Sequence, residues 1–238
     1  MTTQAQLDGR LALVTGGSRG IGFAIAEALA SRGARVAVGG RDEARIVAAC
    51  QRLGDRALGI QGDVSDARAA QALVDGATSG LGGLDILVNN AGVGLFGNVA
   101  DMDPGDWNQV LSTNLSGVFY CTRAAIPHLR QRGGGWIVNI SSLAGINPFA
   151  GAAAYCASKA GLDAFTEALM QEVRHDGIRV ATVAPGSVAT EFSGRRRDEG
   201  ADWKLSAADV AQVVVDLVGH PPRSLPSRVE LRPSRPRK

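Results

Sequence analysis

Short apolar or β-branched runs alternate with longer amphipathic stretches along almost the whole chain. Such strict alternation predicts a parallel sheet that is covered by helices on both faces and wound by right-handed crossovers. Ligands of these sheets bind beyond the carboxyl ends of the strands, so functional residues are expected just after each strand. Ser206, with Asp209 three residues later, predicts the start of the last helix. The predicted strands cover residues 11–15, 35–38, 57–61, 86–88, 136–140 and 178–183, with a seventh near 228–231.

Length and composition narrow the possibilities. A chain of 238 residues, 45% of them hydrophobic, can bury a large core and still form one α/β domain. We predict that domain over residues 1–231, followed by a basic, flexible tail at 232–238. The net charge of +2, with acidic and basic residues interspersed, indicates neither a nucleic-acid surface nor a membrane-binding one. No apolar run approaches the roughly 18 residues that span a bilayer.

The three cysteines have neither the spacing of a disulfide framework nor that of a metal site. An odd number of cysteines in a chain of this size favours reduced thiols and therefore a cytoplasmic location. The three histidines are scattered along the chain, which favours surface or capping roles. We therefore predict no metal site.

A glycine-rich turn joins the first predicted strand to the helix that follows it, with glycines at Gly16, Gly20 and Gly22. Glycines let the backbone turn sharply and approach a diphosphate, and a helix N-terminus offers the anion amide donors and partial positive charge. The turn lies at the first strand-to-helix junction, and a second strand follows about 20 residues later. This context favours a dinucleotide site in a Rossmann-like, doubly wound fold over a purely structural turn.

The end of the second predicted strand indicates which dinucleotide is bound. An acidic residue there would bind the ribose 2'-hydroxyl of NAD(H), but this chain has Gly39, Gly40 and Arg41. Arg19 in the glycine turn offers a second guanidinium, and the two together suit a 2'-phosphate. We therefore predict NADP(H) in preference to NAD(H), the alternative being that both arginines are solvated surface charges. Asp42 is predicted to cap the next helix rather than to bind ribose.

Tyr155 and Lys159 share one face of a predicted helix, because residues four apart are neighbours on a helix surface. The phenol and the ammonium can therefore point into one cleft. A free phenol has a pKa of about 10, so it exchanges protons near neutrality only if its anion is stabilised. Positive charge from Lys159 and from an oxidised nicotinamide is expected to provide that stabilisation.

The chain resembles the short-chain dehydrogenase/reductase family over nearly its whole length. Several separate motifs agree at once, and chance agreement of the set is negligible. They are Thr15-Gly16-x-x-x-Gly20-x-Gly22, Asp63-Val64, Asn89-Asn90-Ala91-Gly92, Asn114, Ile140-Ser141-Ser142, Tyr155-x-x-x-Lys159 and Pro185-Gly186 followed by Thr190.

The resemblance implies an oxidoreductase that transfers a hydride between NADP(H) and a carbonyl or secondary alcohol. It implies that Tyr155 is the general acid in reduction and the base in the reverse direction, and that Ser142 hydrogen-bonds the substrate oxygen. Lys159 would also bind the nicotinamide ribose, and Asn114 would bend its helix to hold a water that links the lysine to solvent. Ser141 is expected to be structural, since alternation along a strand points it the other way.

The resemblance also implies where the dinucleotide is held. The glycine turn would bind the diphosphate, the segments after the third and fourth strands would contact adenine and pass under the cofactor, and the segment after the sixth would hold the nicotinamide. The expected cofactor-binding residues are Gly16, Ser18, Arg19, Gly20, Ile21, Gly22, Arg41, Asp63, Val64, Asn90, Ala91, Gly92, Tyr155, Lys159, Pro185, Gly186, Val188 and Thr190.

The specific activity is left open. Bacterial reductases that share these motifs suggest a 3-oxoacyl thioester of acyl carrier protein or coenzyme A as substrate. The arginines with which they dock the carrier protein match Gly133 and Asp176 here, although Arg132 and Arg174 lie nearby. A different class of function, a non-catalytic dinucleotide-binding regulatory module, is disfavoured because the proton-transfer residues are all present.

Three further patterns have two interpretations each. Leu95, Phe96, Leu143 and Phe149 could line an apolar substrate pocket or be ordinary packing. The arginines at 195–197 could attract an anionic substrate or be a solvated charge run. Apolar residues on more than one face of the helix after Tyr155 predict a homodimer or homotetramer, the alternative being burial within one chain; these are Ala160, Leu162, Ala164, Phe165 and Leu169.

Overall fold

The computed structural model describes residues 7–190 and 202–236, so the arginines at 195–197 lie outside the described residues. Seven parallel strands form one sheet in the order β3-β2-β1-β4-β5-β6-β7. The strands are β1 (Leu11–Thr15), β2 (Arg35–Gly40), β3 (Ala57–Gln61), β4 (Ile86–Asn89), β5 (Gly135–Ile140), β6 (Ile178–Pro185) and β7 (Arg228–Leu231). The helices are α1 (Gly20–Ser31), α2 (Glu43–Leu53), α3 (Ala67–Leu81), α4 (Pro104–Leu111), α5 (Gly117–Gln131), α6 (Ala153–Val173) and α7 (Ala207–Val218).

Side chains alternate between two hydrophobic layers along the central strands. Val14 and Val88 pack toward α1 and α7, whereas their neighbours Leu13 and Leu87 pack toward α3, α5 and α6. All four residues are fully buried. Burial on both faces explains why these strands read as continuous apolar runs. The prediction of a Rossmann-like parallel sheet of seven strands with helices on both sides is confirmed, and the described residues form one such domain.

Each predicted strand is present, and several extend further than predicted at their carboxyl ends. β2 continues to Gly40 because Gly39 and Gly40 remain paired with Ile60 and Gln61 of β3. Glycine has a weak preference for strands, so the sequence pattern underestimated this strand. The extension places Arg41 directly at the carboxyl edge of the sheet.

Two predicted helix starts are confirmed. The Asp42 carboxylate accepts a hydrogen bond from the backbone N–H of Arg45, which makes it the N-cap of α2. Ser206 and Asp209 form a reciprocal capping box at the start of α7. Such caps satisfy backbone donors that the first turn of a helix leaves unpaired. No helix within residues 7–190 and 202–236 combines the length and the apolar character needed to cross a membrane.

A buried polar chain links β4, β5 and α6. The Asn89 amide nitrogen donates to the Asn139 amide oxygen at 2.8 Å, and the Asn139 nitrogen donates to the Thr166 hydroxyl at 2.9 Å. Thr166 in turn donates to the carbonyl of Leu162, one turn earlier in α6. Buried hydrogen bonds of this kind fix how neighbouring elements sit against each other, because leaving any of these groups unpaired is unfavourable.

Candidate active site

The glycine turn after β1 packs against the turn after β4. The Thr15 hydroxyl oxygen accepts hydrogen bonds from the backbone N–H groups of Asn90 and Ala91, at 3.0 and 3.1 Å. The Asn90 amide nitrogen donates to the carbonyls of Thr15 and Gly16. Gly16 has a φ of +61°, and a Cβ there would lie 2.9 Å from the Ala91 Cα. The two turns therefore form one fixed floor at the carboxyl edge of the sheet.

The start of α1 is open to an anion. No side chain caps its first turn, whose N-cap position is Arg19, and Gly20 begins the helix with a φ of +56°. At Gly22, a Cβ would run into the Asn90 amide and the Gly16 carbonyl, so a larger residue would disrupt the turn. Ser18 and Ile21 lie half-buried between these glycines. An uncapped helix start behind a glycine turn fits the diphosphate of a dinucleotide, the group that was expected here.

The ends of β2 and β3 bring Arg41 and Asp63 together. The Arg41 guanidinium lies 3.7 Å from the Asp63 carboxylate, and both side chains are substantially exposed. Partial burial acts to raise the pKa of Asp63, but hydrogen bonds from the Ser65 N–H and hydroxyl and the Arg41 charge lower it below its ordinary value. Val64, the next residue, is buried. Asp63 is therefore held as an ionised partner of Arg41.

Ser142 and Tyr155 meet where β5 ends and α6 begins. Their hydroxyls share a hydrogen bond, and the Ser142 oxygen also accepts from the backbone N–H of Ala144 at 3.1 Å. Burial raises the pKa of the Tyr155 phenol, the bond with Ser142 lowers it, and the neighbouring Cys156 raises it, with a net increase. Ser141 is buried, and its hydroxyl donates to the carbonyl of Lys159 at 3.5 Å.

Lys159 lies one turn after Tyr155 on α6 and is buried. Its ammonium donates to the carbonyl of Ile140 at 2.8 Å and lies 5.8 Å from the centre of the Tyr155 ring. Burial lowers the pKa of Lys159 to about 8, against the opposing effect of the Asp163 carboxylate. Burial therefore keeps the pKa of the Tyr155 phenol above its ordinary value in the chain without cofactor.

Asn114 lies in a π-helical turn, Ser112–Ser116, between α4 and α5. Its side chain is fully buried and bonds to both the N–H and the carbonyl of Val93, at 2.8 and 2.9 Å. It also donates to the hydroxyl of Ser158, the residue before Lys159, at 3.1 Å. A π turn widens a helix locally and is frequent at functional sites. The structure thus places Asn114 where it joins the segment after β4 to α6.

The expected nicotinamide-binding residues follow β6. Pro185 ends the strand, and Gly186 donates its N–H to the carbonyl of Leu231 at 2.8 Å. Val188 forms a bridge with Leu205, and Thr190 lies beside the glycine turn, 3.9 Å from where a Cβ on Gly20 would lie. The segment therefore returns to the start of α1 and places both ends of the expected cofactor site at one edge of the sheet.

An aromatic group borders Tyr155. The Phe96 ring lies edge-on to Tyr155, with centroids 5.7 Å apart, and Phe149 lies 6.4 Å from Phe96. Phe96 and Phe149 are 44% and 55% exposed, so these rings face solvent beside Tyr155 rather than the core. Cys156, the residue after Tyr155, is buried against Ala144 and Ala152 as a packed thiol.

Some residues of the site were not singled out from the sequence. Thr15 organises the floor through its hydroxyl, and Ser158 connects Asn114 to α6. Asp163 lies one turn after Lys159, where it raises the lysine pKa and pairs with Arg228 of β7 at 3.1 Å. The four-residue spacing from Lys159 to Asp163 is a helical pair signal that could have identified it.

Comparisons with known proteins agree with this geometry. The family model described as short chain dehydrogenase matches residues 10–201. A 3-oxoacyl-[acyl-carrier-protein] reductase of Vibrio cholerae is 38% identical over 215 residues, which cover 90% of this chain and 86% of the reductase.

Solved structures agree as well. A short chain dehydrogenase from Burkholderia cenocepacia in complex with NADP is 38% identical, with a TM-score of 0.84, and the match covers 95% of this chain and 96% of that one. A metagenomic short-chain oxidoreductase in complex with NADP is 37% identical, with a TM-score of 0.85, covering 97% of this chain and 100% of the other. The chain belongs to the short-chain dehydrogenase/reductase family of oxidoreductases and resembles its 3-oxoacyl reductase type.

Proposed function

We propose that the protein transfers a hydride between NADP(H) and a carbonyl or secondary alcohol substrate, with Tyr155 as the general acid in reduction and the base in oxidation. The observation that carries the proposal is the contiguous group of Ser142, Tyr155 and Lys159 at the carboxyl edge of the sheet. Asn114 completes the catalytic set through Ser158. A module that only bound a dinucleotide would have no use for this group, which disfavours that alternative.

Each member of the group has a separate role in the proposal. Ser142 hydrogen-bonds the substrate oxygen and orients it toward the phenol, which donates its proton as negative charge develops on that oxygen. Lys159 binds the nicotinamide ribose hydroxyls and stabilises the phenolate. With a pKa of about 8, the lysine can also gain or lose a proton near neutral pH. Asn114 holds a water that connects Lys159 to solvent.

The cofactor residues are proposed on the basis of the floor and the helix start described above. When bound, the nicotinamide supplies or accepts the hydride, and its oxidised form adds positive charge near Tyr155. The diphosphate is held by Gly16, Ser18, Arg19, Gly20, Ile21 and Gly22. Asp63 and Val64 contact adenine, and the segment that passes beneath the cofactor is Asn90, Ala91 and Gly92. The nicotinamide ribose contacts Tyr155 and Lys159, and the nicotinamide itself is held by Pro185, Gly186, Val188 and Thr190.

A preference for NADP(H) is supported by the end of β2. Asp42, the first carboxylate after that strand, is committed to capping α2, so it is not available to bind a ribose 2'-hydroxyl. Arg41 is exposed at the carboxyl edge of the sheet, and Arg19 is exposed at the start of α1. Two of the solved relatives bind NADP.

Replacing Arg41 with alanine is expected to weaken NADPH binding about tenfold to a hundredfold, because a charge-assisted hydrogen bond to the 2'-phosphate is lost. NADH binding should stay within about twofold of its original value, since NADH lacks that phosphate. Titration of both cofactors by protein fluorescence measures the change. Arg123→Ala, which removes an exposed arginine from α5, is the control. Equal weakening of NADPH and NADH, or no weakening of either, would contradict the assignment.

The exposed aromatic rings beside Tyr155 favour a substrate that carries an apolar group next to its carbonyl. Phe96 and Phe149 present exposed rings within one or two side chains of the reacting hydroxyl. Ile146, also exposed, lies on the same loop as Phe149. Large exposed apolar groups beside a polar reaction centre are typical of a substrate pocket. Leu143, in contrast, packs near Gly186.

A substrate panel tests the proposed activity directly. Aldehydes, aliphatic and aryl ketones, quinones and 3-oxoacyl thioesters are incubated with NADPH, and its absorbance is followed; the panel is repeated with NADH. We expect turnover with NADPH and a higher kcat/KM for aryl ketones than for small aliphatic ketones. Tight NADPH binding without turnover of any carbonyl would favour the non-catalytic module.

Reduction of a 3-oxoacyl thioester is the specific alternative, favoured by the similarity to the named reductase of Vibrio cholerae. Two arginines lie near the positions at which such reductases dock the carrier protein. Arg132 pairs with the buried Asp85, whereas Arg174 is exposed. The thioester arm of the panel decides this alternative.

A homodimer or homotetramer is also proposed, because Phe119 on α5 and Trp107 on α4 are exposed apolar residues. A cytoplasmic location remains a prediction.

A further inference from the structure

A second cleft lies at the amino-terminal edge of the sheet, opposite the active site. It is bordered by the starts of β4, β5 and β6 and by the segments that follow α5, α6 and α7. Its volume is about 510 Å³, which lies within the range of small-molecule sites. None of the proposed catalytic or cofactor residues lines it.

The lining of this cleft is strongly basic. Asp85 is the single carboxylate among the described lining residues. That carboxylate is buried and already engaged: it accepts from the backbone N–H of Leu11 at 2.9 Å and from Arg132 at 3.1 Å, and it lies 3.6 Å from Arg10. Five arginines line the cleft, namely Arg10, Arg132, Arg174, Arg179 and Arg223.

Three of the arginines have no carboxylate partner among the described residues: Arg174, Arg179 and Arg223. Arg174 and Arg223 are exposed. Guanidinium groups are the side chains best suited to bind phosphate, since they present several N–H donors in one plane. The surplus of positive charge around one concavity therefore favours a ligand that carries several negative charges.

Arg179 is held in place at the cleft wall. Its guanidinium stacks on the Trp136 ring, 4.2 Å from the ring centre, and donates to the carbonyl of His220 at 2.9 Å. Burial lowers the pKa of Arg179, and the nearby charge of Arg10 lowers it further. Two guanidiniums kept close together repel each other, and an anion between them would relieve that repulsion.

We propose that this cleft binds a small molecule that carries two or more phosphate groups. The concave shape favours a small ligand over a protein surface, and three arginines without a carboxylate partner match a polyphosphate better than a single phosphate. The site lies at the other edge of the sheet and uses none of the proposed catalytic or cofactor-binding residues.

Isothermal titration of the full-length protein with inorganic pyrophosphate tests the proposal. The protein is first saturated with NADPH, so that the glycine turn is occupied and cannot contribute to the heat. Parallel titrations use ATP, orthophosphate and citrate. We expect pyrophosphate and ATP to bind at least about tenfold more tightly than orthophosphate, because they contact more arginines at once.

A double variant, Arg174→Gln with Arg223→Gln, should weaken pyrophosphate binding at least about tenfold. Both side chains are exposed and lack a carboxylate partner, so folding should be unaffected, as the melting temperature would verify. The matched control, Arg68→Gln with Arg123→Gln, removes the same charge from exposed positions on α3 and α5. Arg179→Gln, scored in the same way, provides a second test inside the cleft.

Three results would overturn the proposal. The first is that pyrophosphate releases no heat with the NADPH-saturated protein. The second is that the control pair weakens binding as much as the cleft pair, which would make the effect one of net charge. The third is that an acidic carrier protein binds through Arg174 and Arg223 while pyrophosphate and ATP do not, which would make the cleft a protein-docking surface.

Discussion

Replacing Tyr155 with phenylalanine is expected to lower kcat for carbonyl reduction by about a thousandfold, because the substrate oxygen loses its proton donor. The ring remains, so its edge-on contact with Phe96 and its packing in α6 are retained. NADPH binding should therefore change by less than about threefold. Single-turnover absorbance measurements with saturating NADPH separate the chemical step from binding.

The chain offers a matched control, since it has two tyrosines. Tyr120→Phe removes the same hydroxyl from α5, away from the Ser142–Tyr155–Lys159 group, and should leave kcat unchanged. Appreciable residual turnover in Tyr155→Phe, at more than about a tenth of the original rate, would mean that another group supplies the proton. Ser142 would then be the first alternative donor to test, because its hydroxyl bonds directly to Tyr155.

Replacing Lys159 with methionine should lower kcat/KM at least about a hundredfold and weaken NADPH binding. Two interactions are lost together: the positive charge that stabilises the phenolate and the contacts with the nicotinamide ribose. The activity left in the variant should require a higher pH, because the phenol then lacks its cationic neighbour. Rate measurements from pH 6 to about pH 10 distinguish this outcome from a uniform loss of activity.

The same variant should also change how stability depends on pH. The Lys159 pKa is about 8 in the folded protein and 10.5 in its ordinary state. Between these values the unfolded chain binds more protons, so this lysine makes the free energy of unfolding rise with pH, by about 1.4 kcal/mol per unit. Below pH 8 the burial of the charged ammonium opposes folding.

Urea unfolding of the protein without added cofactor, at pH 7.5 to about 9.5, measures this contribution. The difference in stability between the original protein and Lys159→Met should increase in favour of the original protein across that range. Lys204→Met serves as the control lysine. A pH-independent difference would show that Lys159 keeps its ordinary pKa when the protein is folded.

The sheet could be predicted from the sequence because its strands are short, apolar and buried on both faces. Each of the seven is present, and errors are confined to their ends, as at Gly39 and Gly40, where pairing with β3 overrides a weak local preference. The residues Asn114, Ser142, Tyr155 and Lys159 could be identified by their motifs, and the structure brings them together.

Features that depend on contacts between distant segments could not be predicted. The pairing of Arg41 with Asp63 joins the ends of two strands. The pKa of Lys159 is lowered by burial, which depends on how the whole domain packs around it. The basic cleft draws arginines from five separate segments, whose scatter along the chain hides their proximity. The sequence motifs describe local backbone and reacting groups, but such proximity exists only in the folded chain.

The buried chain from Asn89 through Asn139 to Thr166 has a consequence for how substrate preference can evolve. It cross-links β4, β5 and α6, which carry the floor of the cofactor site, Ser142 and the Tyr155–Lys159 pair. Because these three elements are cross-linked, the proposed proton donor, Tyr155, keeps its position relative to the floor of the site whichever substrate is bound. Adaptation is then left to the segments beyond the strands, such as the loop that carries Phe149. Loops of this kind can be exchanged for a new substrate shape while proton transfer is inherited intact.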